Sequence, residues 1–195
     1  MPFVFKRLVL SLSIAAAFAA DKDSTSFRPA AAESYAHHQT NSKVTIGADP
    51  YITEEKQKTA FGKLDLYGRG VLPVLVVIQN GGDKAISLDR LKAEYVGPNH
   101  NRVEATPAKD VRFLNGPNRP GIPTGPIPRR TRKNPLDAWE VEGRALAAKT
   151  LPPGESASGF VYFQAGLQPG STIYLSGLSE AGTGQELFYF EIPLE

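Results

Sequence analysis

The sequence predicts an all-β fold: an antiparallel β-sandwich with one or two short helices and a long Pro/Arg-rich insertion. Three observations predict it. About eight short apolar or alternating stretches are separated by turn signals, the pattern of sandwiches and barrels. The 195 residues include 18 glycines and 16 prolines, which favours turns over long helices. The most apolar stretch beyond the N-terminal region, residues 71–78, is short and rich in β-branched side chains. Such a run reads as a strand buried on both faces.

Residues 1–20 read as a secretory signal peptide and stand outside the fold. Lys6 and Arg7 make the basic start, residues 8–20 carry no charge, and Ala17-Phe18-Ala19 supplies a small-residue cleavage pattern ahead of Asp21. An uncharged run of this length falls short of the roughly 20 apolar residues a membrane span needs. The expectation is export, periplasmic or secreted, with no transmembrane span after cleavage. Loss of Lys6 and Arg7 leaves 20 basic against 20 acidic residues. A formally neutral chain gives no sign of the basic face of a nucleic-acid binder. The absence of cysteine excludes disulfides, thiol nucleophiles, cysteine zinc sites and a lipid-anchor cysteine together.

Residues 21–42 are polar and Ala-rich without a sustained apolar period, and read as a flexible leader that docks at Phe27 or Tyr35. The domain itself is expected over 43–195, opening with an alternating strand at 43–47. The stretch 53–61 reads as a short helix. Thr53 caps it, Glu54 and Glu55 fill its first turn, and Gly62 ends it. Within 71–78, Pro73 cannot donate to a ladder and belongs near the strand start or at a bulge. Asn80-Gly81-Gly82-Asp83 marks a turn. Further strands are expected at 85–88, 91–96, 102–106 and 111–114. Beyond the insertion, 151–155 turns the chain into a strand at 159–163, followed by strands at 172–175 and 186–194. The last is aromatic enough over 187–192 to pair across an exposed edge. No fixed-period repeat is present.

Two of these stretches carry a resemblance. Residues 74–88 (VLVVIQNGGDKAISL) resemble a strand–turn–strand unit of bacterial exported immunoglobulin-like domains. Residues 151–163 (LPPGESASGFVYF) resemble the Pro-Gly-Glu turn and Gly-aromatic strand near the end of such domains. The resemblance implies an immunoglobulin-like sandwich and an envelope location, and it carries over no site. The long insertion and the helix at 53–61 depart from the minimal pattern.

The insertion, 115–135, holds six prolines, five basic residues and no acid. Pro117, Pro120, Pro123 and Pro126 recur every three residues, matching the three-residue turn of polyproline II, so they would stack along one ridge. Extended in that form, 117–128 would span on the order of 35 Å. Arg129, Arg130, Arg132 and Lys133 follow as a basic cluster. Two readings stand side by side. One is a partner-binding arm, with a ridge for an aromatic groove and charges for an acidic group. The other is a solvated insertion stiffened by its prolines. Residues 136–149 read as a short helix with Leu136, Trp139, Gly143 and Leu146 at helical spacing. Trp139, the sole tryptophan, is a partner-binding candidate with two readings: it pins that helix to a sheet, where the helix would anchor the arm, or it stacks a sugar, and the first is the expectation.

Motifs for catalysis are absent. The sequence contains no phosphate-cradling G-x-x-x-x-G-K, no G-x-G-x-x-G and no S-x-x-K. Residues 154–159 approach a G-x-S-x-G elbow with one residue too many, and lead into a strand instead of a helix. His37 and His38 fall in the leader and His100 in a turn, so no metal site and no cofactor is expected. Glu54, Glu55, Asp65, Asp89 and Glu94 are carboxylates of the type used in hydrolysis, with nothing to privilege any of them. The expected function is a non-enzymatic exported module that binds or scaffolds an envelope protein or an acidic envelope component. A small-molecule carrier with a pocket in the sandwich and a carboxylate-dependent hydrolase remain alternatives.

Overall fold

The computed structural model describes residues 27–114, 134–136 and 138–195. In chain order these form β1 (His38–Asn41), β2 (Val44–Pro50), α1 (Glu54–Phe61), β3 (Leu72–Asn80), β4 (Ile86–Ser87), β5 (Lys92–Val96), β6 (Arg102–Glu104), α2 (Ala108–Val111), α3 (Trp139–Gly143), β7 (Thr150–Leu151), β8 (Ser156–Phe163), β9 (Ser171–Ser176), β10 (Ser179–Glu180) and β11 (Phe190–Leu194). The strands pair antiparallel in three sheets, ordered β1-β2-β3-β8, β11-β9-β5-β6 and β10-β4-β7. The protein is mostly β with a few short helices, as an all-β sandwich requires.

Strand β3 shows why its sequence is apolar throughout. Leu72, Val74, Val76 and Ile78 point between the two four-stranded sheets, where they meet Ile46 of β2 and Tyr95, Ile173, Leu175 and Ile192 of the facing sheet. The alternate residues Leu75 and Val77 point to the other face. There they join Phe160 and Tyr162 of β8 under Phe61 of α1 and Val111, Leu136 and Val141. A strand covered on both sides has no use for polar alternation. The molecule is therefore layered: facing sheet, first sheet, then a cover of short helices and loops.

Local chemistry sets the element boundaries. Thr53 Oγ1 accepts a hydrogen bond from the Lys56 amide at 3.3 Å and caps α1, and Gly62 stops it at φ +65°. Left-handed backbone of that kind favours glycine. The outer edge of β8 is closed without a further strand. Tyr162 O accepts from Thr106 N at 2.7 Å, while Phe160 N donates to Arg144 O at 2.8 Å and Leu146 N donates to Phe160 O at 3.0 Å. Gly159 permits that approach, since a Cβ there would lie 2.4 Å from Leu146 Cα. A covered edge cannot recruit a foreign strand.

Several expectations need correction. Residues 27–41 belong to the fold. Phe27 stacks on Phe160 at 5.5 Å, and His38–Asn41 pairs with β2. The strand expected at 111–114 is the end of α2 and a turn, because Val111 alone of the four is fully buried. The helix expected over 136–149 shrinks to Trp139–Gly143, since Ala145 and Leu146 are extended along β8. The last strand starts at Phe190, not at 186, and Phe188 and Tyr189 are exposed. Among the described residues, no helix is long and apolar enough to cross a membrane.

Ser171 opens β9 facing the core. It is fully buried, and among the described residues its Oγ meets no hydrogen-bond partner. A desolvated hydroxyl without a partner costs about 1–3 kcal/mol. Ser171→Ala is therefore expected to raise stability by about 1 kcal/mol in chemical denaturation. A loss of stability would mean that the hydroxyl is paired.

Candidate functional site

The base of the Pro/Arg-rich insertion is built from α2, α3 and the turns beside them. Asn134 Nδ2 donates to Arg112 O, and Asn134 Oδ1 accepts from Leu136 N at 3.0 Å. The two ends of the segment 115–133 are thus tied together. Leu136 and Val141 are buried against Val111 in the outer layer of the core. Tyr162 Oη donates to Val141 O at 2.8 Å, fastening α3 to the sheet. Burial raises the Tyr162 pKa, so the phenol stays a neutral donor.

Two large side chains stand out from this base. Trp139 is 73% exposed and Phe113 is 58% exposed. Trp139 therefore does not pin α3 to a sheet; Val141 and Leu136 do. Its ring lies over its own helix, since a Cβ on Gly143 would sit 3.2 Å from Trp139 Cε3. Arg112 Cζ lies 5.0 Å from the Phe113 ring centroid, a cation–π contact. Phe113 was hidden from sequence reasoning because 111–114 looks like a strand. Pro117, Pro120, Pro123, Pro126, Arg129, Arg130, Arg132 and Lys133 lie outside the described residues.

Two adjoining clefts lie elsewhere on the surface. One, of about 650 Å³, is lined by α1 and residues 62–68, including Glu54, Lys58, Lys63 and Asp65. The second, of about 530 Å³, shares Ile52 and Tyr67 with it and continues to Leu167, Pro169 and Leu194. Of the five carboxylates singled out in the sequence, Glu54 and Asp65 both line the first cleft. Asp65 Oδ1 already accepts from Gln57 Nε2 at 3.0 Å and from Gly68 N at 2.8 Å. Buried Gln57 in turn accepts from Leu66 N at 2.7 Å and Tyr67 N at 3.1 Å, so this pair builds the loop. Glu94 is spent on an ion pair with Arg102 at 2.6 Å. A further cleft, of about 260 Å³, opens between the sheets, lined by Leu91, Ala93 and Ala105 on one side and Leu146, Val161 and Tyr162 on the other; a carrier would use this cleft or the two external ones. Among the described residues, no three His, Asp or Glu side chains gather as a metal site.

No family model matches the chain, and no curated protein matches it in sequence. Solved structures are similar to it at low scores. The chain is similar to a structural-genomics target, SoR45, at 10% identity and TM-score 0.36, over 80% of this chain and 90% of that one. It is similar to a functionally unknown protein from Listeria monocytogenes EGD-e at 13% identity and TM-score 0.35, over 81% and 82%. It is also similar to the archaellum periplasmic stator protein complex FlaF and FlaG from Sulfolobus acidocaldarius, at 17% identity and TM-score 0.30, over 60% and 76%. At these scores none of the three bears on function.

Proposed function

We propose that this chain is an exported, non-enzymatic, immunoglobulin-like module that binds or scaffolds an envelope component through its Pro/Arg-rich arm. The observation that carries the proposal is the base of the arm. A basic, acid-free segment departs from a hydrogen-bonded stem on a doubly packed sheet, flanked by the exposed rings of Phe113 and Trp139. Rigid aromatic anchors beside arginines are the composition of binding hot spots. Proline spacing of three supplies a low-entropy ridge for an aromatic groove, and Arg129, Arg130, Arg132 and Lys133 supply charge for an acidic partner.

The immunoglobulin-like reading is supported by the two stretches that carry the resemblance. They are partners in space: β3 pairs with β8 along its length, and Asn80 bonds to the carbonyls of Leu151 and Pro152. Export is supported by the 1–20 pattern of basic start, uncharged run and small-residue site.

Binding to isolated envelope fractions should weaken about tenfold or more between about 50 mM and about 500 mM salt, because exposed ion pairs are screened over that range. Equal affinity at both salt levels would contradict the charged half of the mechanism. Trp139 fluorescence should shift when the partner binds, and a constant signal would remove Trp139 from the contact.

A further inference from the structure

The outer face of the sheet β11-β9-β5-β6 is open to solvent, and its register sets up an unusual row. Glu104 stands opposite Glu94, Glu94 opposite Tyr174, and Tyr174 opposite Glu191, so three carboxylates and a tyrosine cross all four strands in one line. Arg102 pairs with Glu94 and lies 4.8 Å from the Tyr174 ring centroid. On Tyr174 stacks Tyr189, at 5.1 Å between centroids, and Tyr189 is 51% exposed. Glu104 and Glu191 are exposed and have no ion-pair partner among the described residues. Lys92 is a further cation on this face, opposite Ser176. Glu104 and Glu94 are like charges directly across the ladder, a destabilising arrangement that an incoming cation would relieve.

This chain contains the complement. Its segment 115–135 has five basic residues, no acid and prolines at every third position over 117–126. From Glu104 to Glu191 is three strand steps, about 14 Å. From Arg129 to Lys133, an extended chain covers about 12–14 Å. The prolines ahead of that cluster are suited to tyrosine rings, as in other proline–aromatic recognition. The full match is harder for the same chain to make with itself. Arg132 and Lys133 lie within about 7 Å of Asn134 along the chain, and Asn134 is tied to Arg112 on the helical side of the first sheet. The far carboxylate, Glu191, is on β11 of the opposite sheet, at the edge farthest from β6.

We infer that residues 115–135 of one copy dock on the Glu104–Glu94–Tyr174–Glu191 row of a second copy, giving head-to-tail self-association. The inference rests on the proposal that 115–135 is a binding arm, and names its partner. An arm on one side and an acceptor on the other make a heterologous contact, which leaves both ends free to propagate.

The test is sedimentation of the full mature chain against concentration, at about 50 mM and about 500 mM salt. The wild type should grow past the dimer with concentration, about tenfold less readily at high salt. The face variant Glu104→Gln/Glu191→Gln and the arm variant Arg129→Gln/Arg130→Gln/Arg132→Gln should each melt like the wild type and remain monomeric alone. Mixed, they should form a complex that stops at the dimer, because one retains the arm and the other the face. A wild type monomeric at every concentration, or association that neither variant reduces, would overturn the inference. If the wild type stays monomeric yet captures an envelope component only with its arm intact, self-docking fails and the binding function stands. If deleting the arm changes neither behaviour, both fail.

Discussion

Phe160→Ala should cost about 3–5 kcal/mol of stability, the usual loss when a fully buried phenylalanine is truncated. Phe160 is 1% exposed and lies at the centre of the outer core layer. Its ring meets Phe27 at 5.5 Å, Tyr51 at 4.9 Å and Phe61 at 4.7 Å. Those partners come from the N-terminal segment, the end of β2 and α1, so one side chain holds three otherwise separate pieces to the sheet. Packed rings contribute about 0.5–1.5 kcal/mol per pair beyond the area they bury, and the cavity cannot be refilled without moving all three. The melting temperature should fall on the order of 10 °C. Phe160→Leu should recover part of the loss. A near-wild-type melt for the alanine variant would mean that the outer layer adds little to stability.

Asn80→Asp should be comparably damaging despite nearly equal size. Asn80 is fully buried at the end of β3. Its Nδ2 donates to the carbonyls of Lys84 at 2.8 Å, Leu151 at 3.0 Å and Pro152 at 3.1 Å, while Oδ1 accepts from Gly82 N at 3.0 Å. The amide thus ties together the 81–84 turn and the turn before β8. Aspartate would set an acceptor, charged at neutral pH, against three carbonyl oxygens. An uncompensated charge in such a place costs about 3–5 kcal/mol. Acidification should return part of that, because the protonated carboxyl regains one donor. Equilibrium denaturation at two pH values reads both effects, and a variant as stable as the parent would show that Asn80 serves only the turn.

The elements readable in the sequence are those whose signal lies in their own residues. Strand β3 announces itself by an unbroken apolar run because both of its faces are covered. Helix α1 is framed by Thr53, Glu54, Glu55 and Gly62, each acting within one turn. Strand β1 was missed because none of its residues is fully buried; its place is set by the backbone of β2 and by Gln39 Oε1, which accepts from Glu191 N at 2.8 Å. Leu136, Trp139, Gly143 and Leu146 suggest one helical stripe, yet Leu146 extends along β8 and Trp139 faces solvent. Spacing alone cannot tell a buried stripe from a helix that ends after one turn. The candidate site was half legible. Composition and period pick out the arm, whereas Phe113 and the acidic row depend on side chains that meet only through tertiary packing and strand register.

The most direct measurement is quantitative crosslinking capture from the native envelope, comparing the intact mature protein with a form lacking residues 117–133. Both must first melt alike, so that lost binding is not lost folding. The account predicts a partner captured by the intact protein and absent with the deletion. Equal capture by both forms would contradict it and move the interaction to another surface, the clefts beside Tyr67 first.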